Sequence, residues 1–155
     1  MTVEAMAIRP AISAEDKRMA LQFLGAHGVI LLETSDFNAL GRFNPERKLI
    51  GVVGYNGFNG KVCCMHSAGD GNWVSREFLR DAFHYPFVTC DVNHLIGTVA
   101  GDNARALKFN KHLGFEVLFR LRNGWSDGVD TIIMGMTKQS CRWLAQEKQN
   151  ELQAA

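Results

Sequence analysis

The sequence predicts an α+β fold: a mostly antiparallel sheet flanked by helices, with one right-handed strand–helix–strand crossover near its centre. Three observations lead there. Two strand runs, Leu49 to Tyr55 and Lys61 to His66, are joined by Asn56-Gly57-Phe58-Asn59-Gly60, whose Asn and Gly residues tolerate positive φ and so mark a hairpin. From Trp73 to about Tyr85 the apolar spacing turns helical, and another strand run follows at His94 to Val99. The chain then closes through a helix and two strands, Glu116 to Leu121 and Asp130 to Met136.

Taken in order, Ser13 to Leu24 reads as the first helix. Ser13 can cap it, Glu15 and Asp16 favour its N-terminal end, and Gly25 stops it. Val29 to Leu32 is a short apolar strand, whereas Asp36 to Asn44 fits neither pattern because Gly41 and Pro45 break any long element. In the helix after Trp73, the apolar face is Val74, Phe78, Ala82 and Phe83, against polar Arg76, Glu77, Arg80 and Asp81. Pro86 disfavours a helical Tyr85 and predicts the end of that helix. Gly101-Asp102-Asn103 leads into the helix Ala104 to Leu113, which carries Ala106, Phe109, Asn110 and Leu113 on one face and stops at Gly114. Gln139 onward reads as a short helix and then a polar tail from about residue 145. With no repeat, low-complexity stretch or linker, residues 1–155 are expected to form a single domain.

Composition narrows the function. The 155 residues are 46% hydrophobic, which suits a soluble globular chain. A net charge of +1 with dispersed Lys and Arg points away from nucleic acid and anionic membrane as partners. No apolar run approaches the roughly 20 residues that span a bilayer. The N-terminus carries Glu4 and lacks a secretion signal, so the expected compartment is the cytoplasm. The cysteines Cys63, Cys64, Cys90 and Cys141 have no CxxC spacing and read as reduced thiols, some of them buried. One strand face would offer only Cys64 and His66, too few ligands for a metal, so no metal is expected.

Two features carry chemistry. His66-x-x-Gly69-x-Gly71 lies between a strand and a helix, where glycines let the backbone approach a ligand and N–H groups at a helix start can hold phosphate. Read alone, it is as compatible with a flexible turn. No GKS or GKT follows the glycines, which argues against a nucleotide P-loop. Asn103-x-x-Ala106 followed by Leu113-Gly114-Phe115 is a capped helix with a glycine stop, and alone it is helix punctuation.

Their order around a shared strand resembles the coenzyme half of the GNAT acetyltransferase superfamily, in the branch of ribosomal-protein N-terminal acetyltransferases. The resemblance runs from about Lys61 to Leu144. It rests on Gly69-Asp70-Gly71-Asn72-Trp73, Tyr85-Pro86-Phe87, Asn103 with Ala106, Leu113-Gly114-Phe115, and Asp130 with Gly135-Met136. The ending Cys141-Arg142-Trp143-Leu144 also resembles short phage-encoded acetyltransferase-like proteins, which would place this one in a host cytoplasm.

The resemblance implies a GNAT fold with a splayed parallel pair of strands and acetyl-CoA as co-substrate. Cys64, Met65 and His66 would offer backbone groups to pantetheine, Gly69 to Trp73 would hold the pyrophosphate, and Asn103, Ala106 and Asn110 would face the thioester arm. His66 and Asn103 are the candidate catalytic residues, with Asp91 and Tyr85 as weaker ones, and Trp125 would shape an acceptor pocket or partner surface. The acceptor would be an amine on a protein or small molecule, attacking the thioester directly, in a monomer or homodimer. Two positions depart from the family pattern: His66 replaces the usual Gln or Arg, and Asn110 replaces a Tyr that protonates the leaving thiolate. Those departures define the alternative, a CoA-binding or virion-associated protein that works through a partner.

Overall fold

The computed structural model describes residues 7–11 and 13–144. The first helix, α1 (Ala14–Ala26), follows a short strand, β1 (Ala7–Pro10). Three antiparallel strands come next: β2 (Asn38–Phe43), β3 (Leu49–Asn59) and β4 (Val62–Gly69). Helix α2 (Arg76–His84) runs into a π-helical turn (Tyr85–Thr89) and then into β5 (His94–Ala100). Helix α3 (Ala104–Leu113), strands β6 (Glu116–Ser126) and β7 (Val129–Thr137), and a 3₁₀ turn (Arg142–Leu144) complete the described chain. The seven strands form one sheet in the order β1-β2-β3-β4-β5-β7-β6, antiparallel at every step except β4 with β5.

Local chemistry sets most boundaries. Ser13 and Asp16 form a reciprocal capping box at α1, with Ser13 Oγ accepting from the Asp16 N–H at 3.0 Å. The helix passes through Gly25 and stops only where Gly28 takes φ +84°. Asn103 caps α3 through Ala106 N–H at 3.1 Å, and Gly114 ends it at φ +113°. The β3–β4 hairpin is tighter than the sequence predicts, because β3 runs on to Asn59 past an irregularity between Asn56 and Asn59.

Three expectations are corrected. Residues 29–32 pair with no strand, and Ile30 and Leu32 are 85% and 82% exposed while Val29 and Leu31 pack under α1. The segment 36–44 contains β2, because Gly41 sits inside the strand against Leu49 and Phe43 rather than breaking it. Pro86 does not end the helical path: Tyr85 is helical at φ −56°, ψ −57°, and the chain widens into the π-turn. The polar tail from 145 lies outside the described residues.

The core has a layer on each face of the sheet. On one face α1 contributes Ala20 and Leu24, which bury against Phe37, Ala39 and Val52. On the other, α2 and α3 cover Phe83, Leu95, Val99, Leu113, Ile132 and Met134. The Trp143 ring stacks on Phe83 (6.4 Å, 6°) and its Nε1–H donates to the Leu113 carbonyl at 2.9 Å. Arg142 lies over the Trp143 ring at 4.6 Å and donates to the His112 carbonyl. The Cys-Arg-Trp-Leu ending therefore pins the open carbonyls of α3 to α2. Trp143→Phe keeps the stack but loses the donor, and urea unfolding is expected to show a loss of about 1 kcal/mol.

Candidate functional site

The site begins where one ladder stops. β4 and β5 are in parallel register at Val62↔His94, Cys63↔Leu95 and Cys64↔Ile96, and no pair follows, although the strands continue to Gly69 and Ala100. Each strand keeps its outer neighbour: β3 stays paired to Gly69, and β7 pairs along β5 from His94 to Ala100. The facing inner edges of residues 65–69 and 97–100 thus open as a wedge, with backbone groups available to an extended ligand.

A cavity of about 410 Å³ fills the wedge. Of the residues expected at a site, Met65, His66, Gly69, Trp73, Asn103, Ala106 and Asn110 line it. Cys64 does not, because it is still laddered to Ile96. Asp70, Gly71 and Asn72 also lie outside the lining. Helix α2 starts at Arg76, capped by Ser75, so the turn after Gly71 is four residues longer than a glycine loop leading straight into a helix.

Trp73 explains part of that loop. Gly51 and Gly69 are opposite one another on β3 and β4, and the Trp73 ring lies over both. A Cβ on Gly51 would sit 2.6 Å from Trp73 Cε3, and one on Gly69 would fall within the ring. Arg42, 9% exposed, donates to the Trp73 carbonyl, while Phe78 and Phe109 flank the ring at 5.9 and 6.0 Å. Gly69 therefore serves indole packing.

His66 is not a solvated strand-end residue. Its Nε2–H donates to Asn56 Oδ1 at 2.8 Å, which leaves Nδ1 with the lone pair. Burial pushes its pKa down to about 4, so the ring is neutral near pH 7 and a weak base. Asn103 spends its Oδ1 on the α3 cap, while its side chain lines the cavity. Asn110 Nδ2 has a weak contact with Met134 Sδ at 3.9 Å. Asp91 pairs with Lys61 and Lys138, and Tyr85 accepts a hydrogen bond from Asn38, so neither belongs to the cavity. Burial raises the Cys63 thiol to about 12, which makes it inert.

Sequence reasoning missed His27, Gly28, Val29, Arg105 and Phe109 as wall residues. His27 is the most distant in sequence. Its Nδ1 bonds the Phe23 carbonyl at 2.8 Å, its Nε2 bonds Asp70 Oδ1 at 2.7 Å, and its ring stacks on Phe23 at 4.3 Å. The bond to Asp70, then that to Phe23, raises its pKa. Among the described residues, the ionisable groups on the wall are His27, His66 and Arg105, with no carboxylate. Trp125 reaches the cavity from β6 while staying 52% exposed. No group of three or more His, Cys, Asp or Glu residues that could hold a metal occurs among the described residues.

A seven-stranded, mostly antiparallel sheet that splays at one parallel pair, with helices on both faces, is the GNAT fold. No protein-family model and no curated protein sequence matches the chain. Solved structures do. A mutant form of spermidine N-acetyltransferase SpeG from Vibrio cholerae superimposes with a TM-score of 0.70 at 13% identity, covering 92% of this chain and 98% of that one. The Vibrio cholerae enzyme in complex with CoA and spermine gives 0.70 at 15% identity, over 90% and 98%. A dodecameric intermediate state of it gives 0.68 at 14%, over 86% and 94%.

Proposed function

We propose that this protein is an acetyl-CoA-dependent N-acetyltransferase that moves an acetyl group to an amine of a protein or small molecule. The observation that carries the reading is the open wedge between β4 and β5, whose free strand edges fit the amides of a pantetheine arm. The structural neighbour that holds CoA and spermine supports it. The basic side chains His27 and Arg105 on the wall suit an anionic coenzyme. The residues present fit acetyl-CoA as the co-substrate.

In this reading the protein works mainly by alignment. The amine nitrogen attacks the thioester carbonyl, the C–S bond breaks, and the thiolate leaves with the electron pair. The inner-edge N–H groups of β4 are the donors available to the oxyanion. His66 Nδ1 is too weak a base to take the amine proton, so the amine arrives neutral from solvent and, after attack, sheds its proton to water. Asn110 cannot serve as an acid, and the thiolate takes its proton from water. Asn103 orients the thioester arm through its amide N–H groups. A polyamine acceptor is disfavoured, because the described wall offers no carboxylate to a polycation.

The structural neighbours, which are N-acetyltransferases, do not favour the second reading, a CoA-binding or virion-associated protein acting through a partner; β6 alone speaks for it. Every residue of that strand is exposed, including Val117, Leu118, Phe119, Leu121 and Trp125. The phage-related placement and host cytoplasm stay in the proposal on the Cys141-Arg142-Trp143-Leu144 ending, as does a monomer or homodimer. No helix among the described residues is long and apolar enough to cross a membrane.

A thermal-shift comparison of acetyl-CoA, CoA and ATP tests the coenzyme. Stabilisation by acetyl-CoA and CoA but not ATP is expected, and no shift at millimolar acetyl-CoA sinks the reading. Turnover on a panel of amines then separates the enzyme from the partner-binding alternative.

A further inference from the structure

We propose that His27 is a positioning residue for the coenzyme loop: its ring ties Asp70 to the end of α1, fixing the segment Gly69 to Trp73 and neutralising its carboxylate. The inference rests on the coenzyme reading above. It starts from two hydrogen bonds on one ring, to a backbone carbonyl of α1 and to a carboxylate 43 residues away. Both partners are acceptors, so both ring nitrogens must donate, and only the imidazolium does that. A neutral ring would turn a lone pair toward Phe23 O or toward Asp70, and one bond would be lost.

The location gives the contact its meaning. Asp70 is the only acidic residue in the segment Gly69 to Trp73. Its backbone N–H is already used, donating to the Ile50 carbonyl at 2.8 Å, so β3 holds the main chain and His27 holds the side chain. An unneutralised carboxylate there repels a coenzyme that carries several phosphate charges. His27 itself lines the cavity. The groups facing it are the Phe23 carbonyl and ring from α1 and Asp70 from the loop after β4. The other ionisable wall groups are Arg105 on α3 and His66 on β4, the latter neutral near pH 7.

The consequence is an affinity that depends on the charge of one ring. Below the raised pKa of His27 the Asp70 carboxylate is paired; above it the carboxylate stands alone and the loop loses its tie to α1. Tighter coenzyme binding on the acidic side is therefore expected. The phosphates of CoA titrate as well, but identically for every variant, so differences between variants isolate the latch.

The experiment is calorimetric titration with CoA from about pH 6 to about pH 9 on the wild type, His27→Gln, Asp70→Asn and the double variant. NMR titration of the His27 ring without ligand accompanies it. Wild-type affinity should fall about fivefold more than that of Asp70→Asn across this range, the scale of one partly exposed ion pair. His27→Gln should bind about fivefold more weakly at the acidic end, and adding Asp70→Asn should recover the loss. The His27 pKa should drop toward its ordinary value in Asp70→Asn. His27→Gln binding as tightly as wild type at the acidic end overturns the proposal, as do equal pH slopes for wild type and Asp70→Asn. If the wild type binds no CoA, the coenzyme reading falls and this role with it, while the NMR arm still reports whether the His27–Asp70 tie forms.

Discussion

Gly69→Ala is expected to destabilise the protein by about 3 kcal/mol, the upper end for overpacking a well-filled site. The new methyl would fall within the Trp73 ring, so the indole must leave its slot or the strand must move. The ring has little freedom. Gly51 lies beneath it on β3, Phe78 and Phe109 flank it, and Arg42 holds its backbone carbonyl. Urea unfolding of Gly69→Ala, Trp73→Ala and the double variant closes a mutant cycle. Without the indole the methyl loses its three nearest neighbours, so the double variant should cost about 2 kcal/mol less than the sum of the singles. Additive costs would show that the ring does not occupy this slot.

Acidification is expected to remove about 3 kcal/mol of stability through His66 between about pH 6.5 and pH 4. Burial lowers its folded-state pKa to about 4, against an ordinary value near 6.5. Between those values the unfolded chain binds the proton and the native chain does not, at ~1.4 kcal/mol per pH unit. The contribution is whole above pH 6.5, declines as pH falls, and is gone below about pH 4. Titrating carboxylates are common to the wild type and His66→Gln, so the difference between their pH–stability curves isolates this ring. Parallel curves would mean that His66 is solvated. His27 has the opposite sign: its raised pKa gives stability on the acidic side that is lost as pH rises through that value.

The two histidines show how far the site was legible in sequence. His66 belonged to a recognisable motif, and its place in the wedge was anticipated. Its protonation state was not, because burial and the Asn56 bond depend on β3 running past the expected turn. His27 belonged to no motif. Its partner Asp70 arrives only after β2, β3 and β4 have folded back under α1, and no local pattern encodes that return. Trp73 is intermediate: it was noted beside the glycines, yet the Gly51–Gly69 pair that receives it is created by β3–β4 register.

Other differences have similar causes. The short apolar run at 29–32 reads as a strand in sequence, but a strand needs a neighbour, and whether a ladder forms there is a tertiary matter. Gly41 looked like a breaker because a lone glycine weakens a strand, whereas here it makes room for Leu49 and Phe43. Helix α3 was placed correctly at both ends because its signals, an Asn cap and a left-handed glycine stop, are local backbone chemistry.

The family resemblance pointed to the neighbourhood of the wedge, and the sequence by itself determined the α+β class, the hairpin and the capped helices. These follow from periodicity and from residues whose conformational preferences act within a few positions. Only the tertiary structure decided where β4 and β5 part, why Gly69 must be glycine, that His66 is neutral, and that His27 reaches Asp70. Each of those depends on contacts between segments distant in the chain, where burial and register set the chemistry of the clamp.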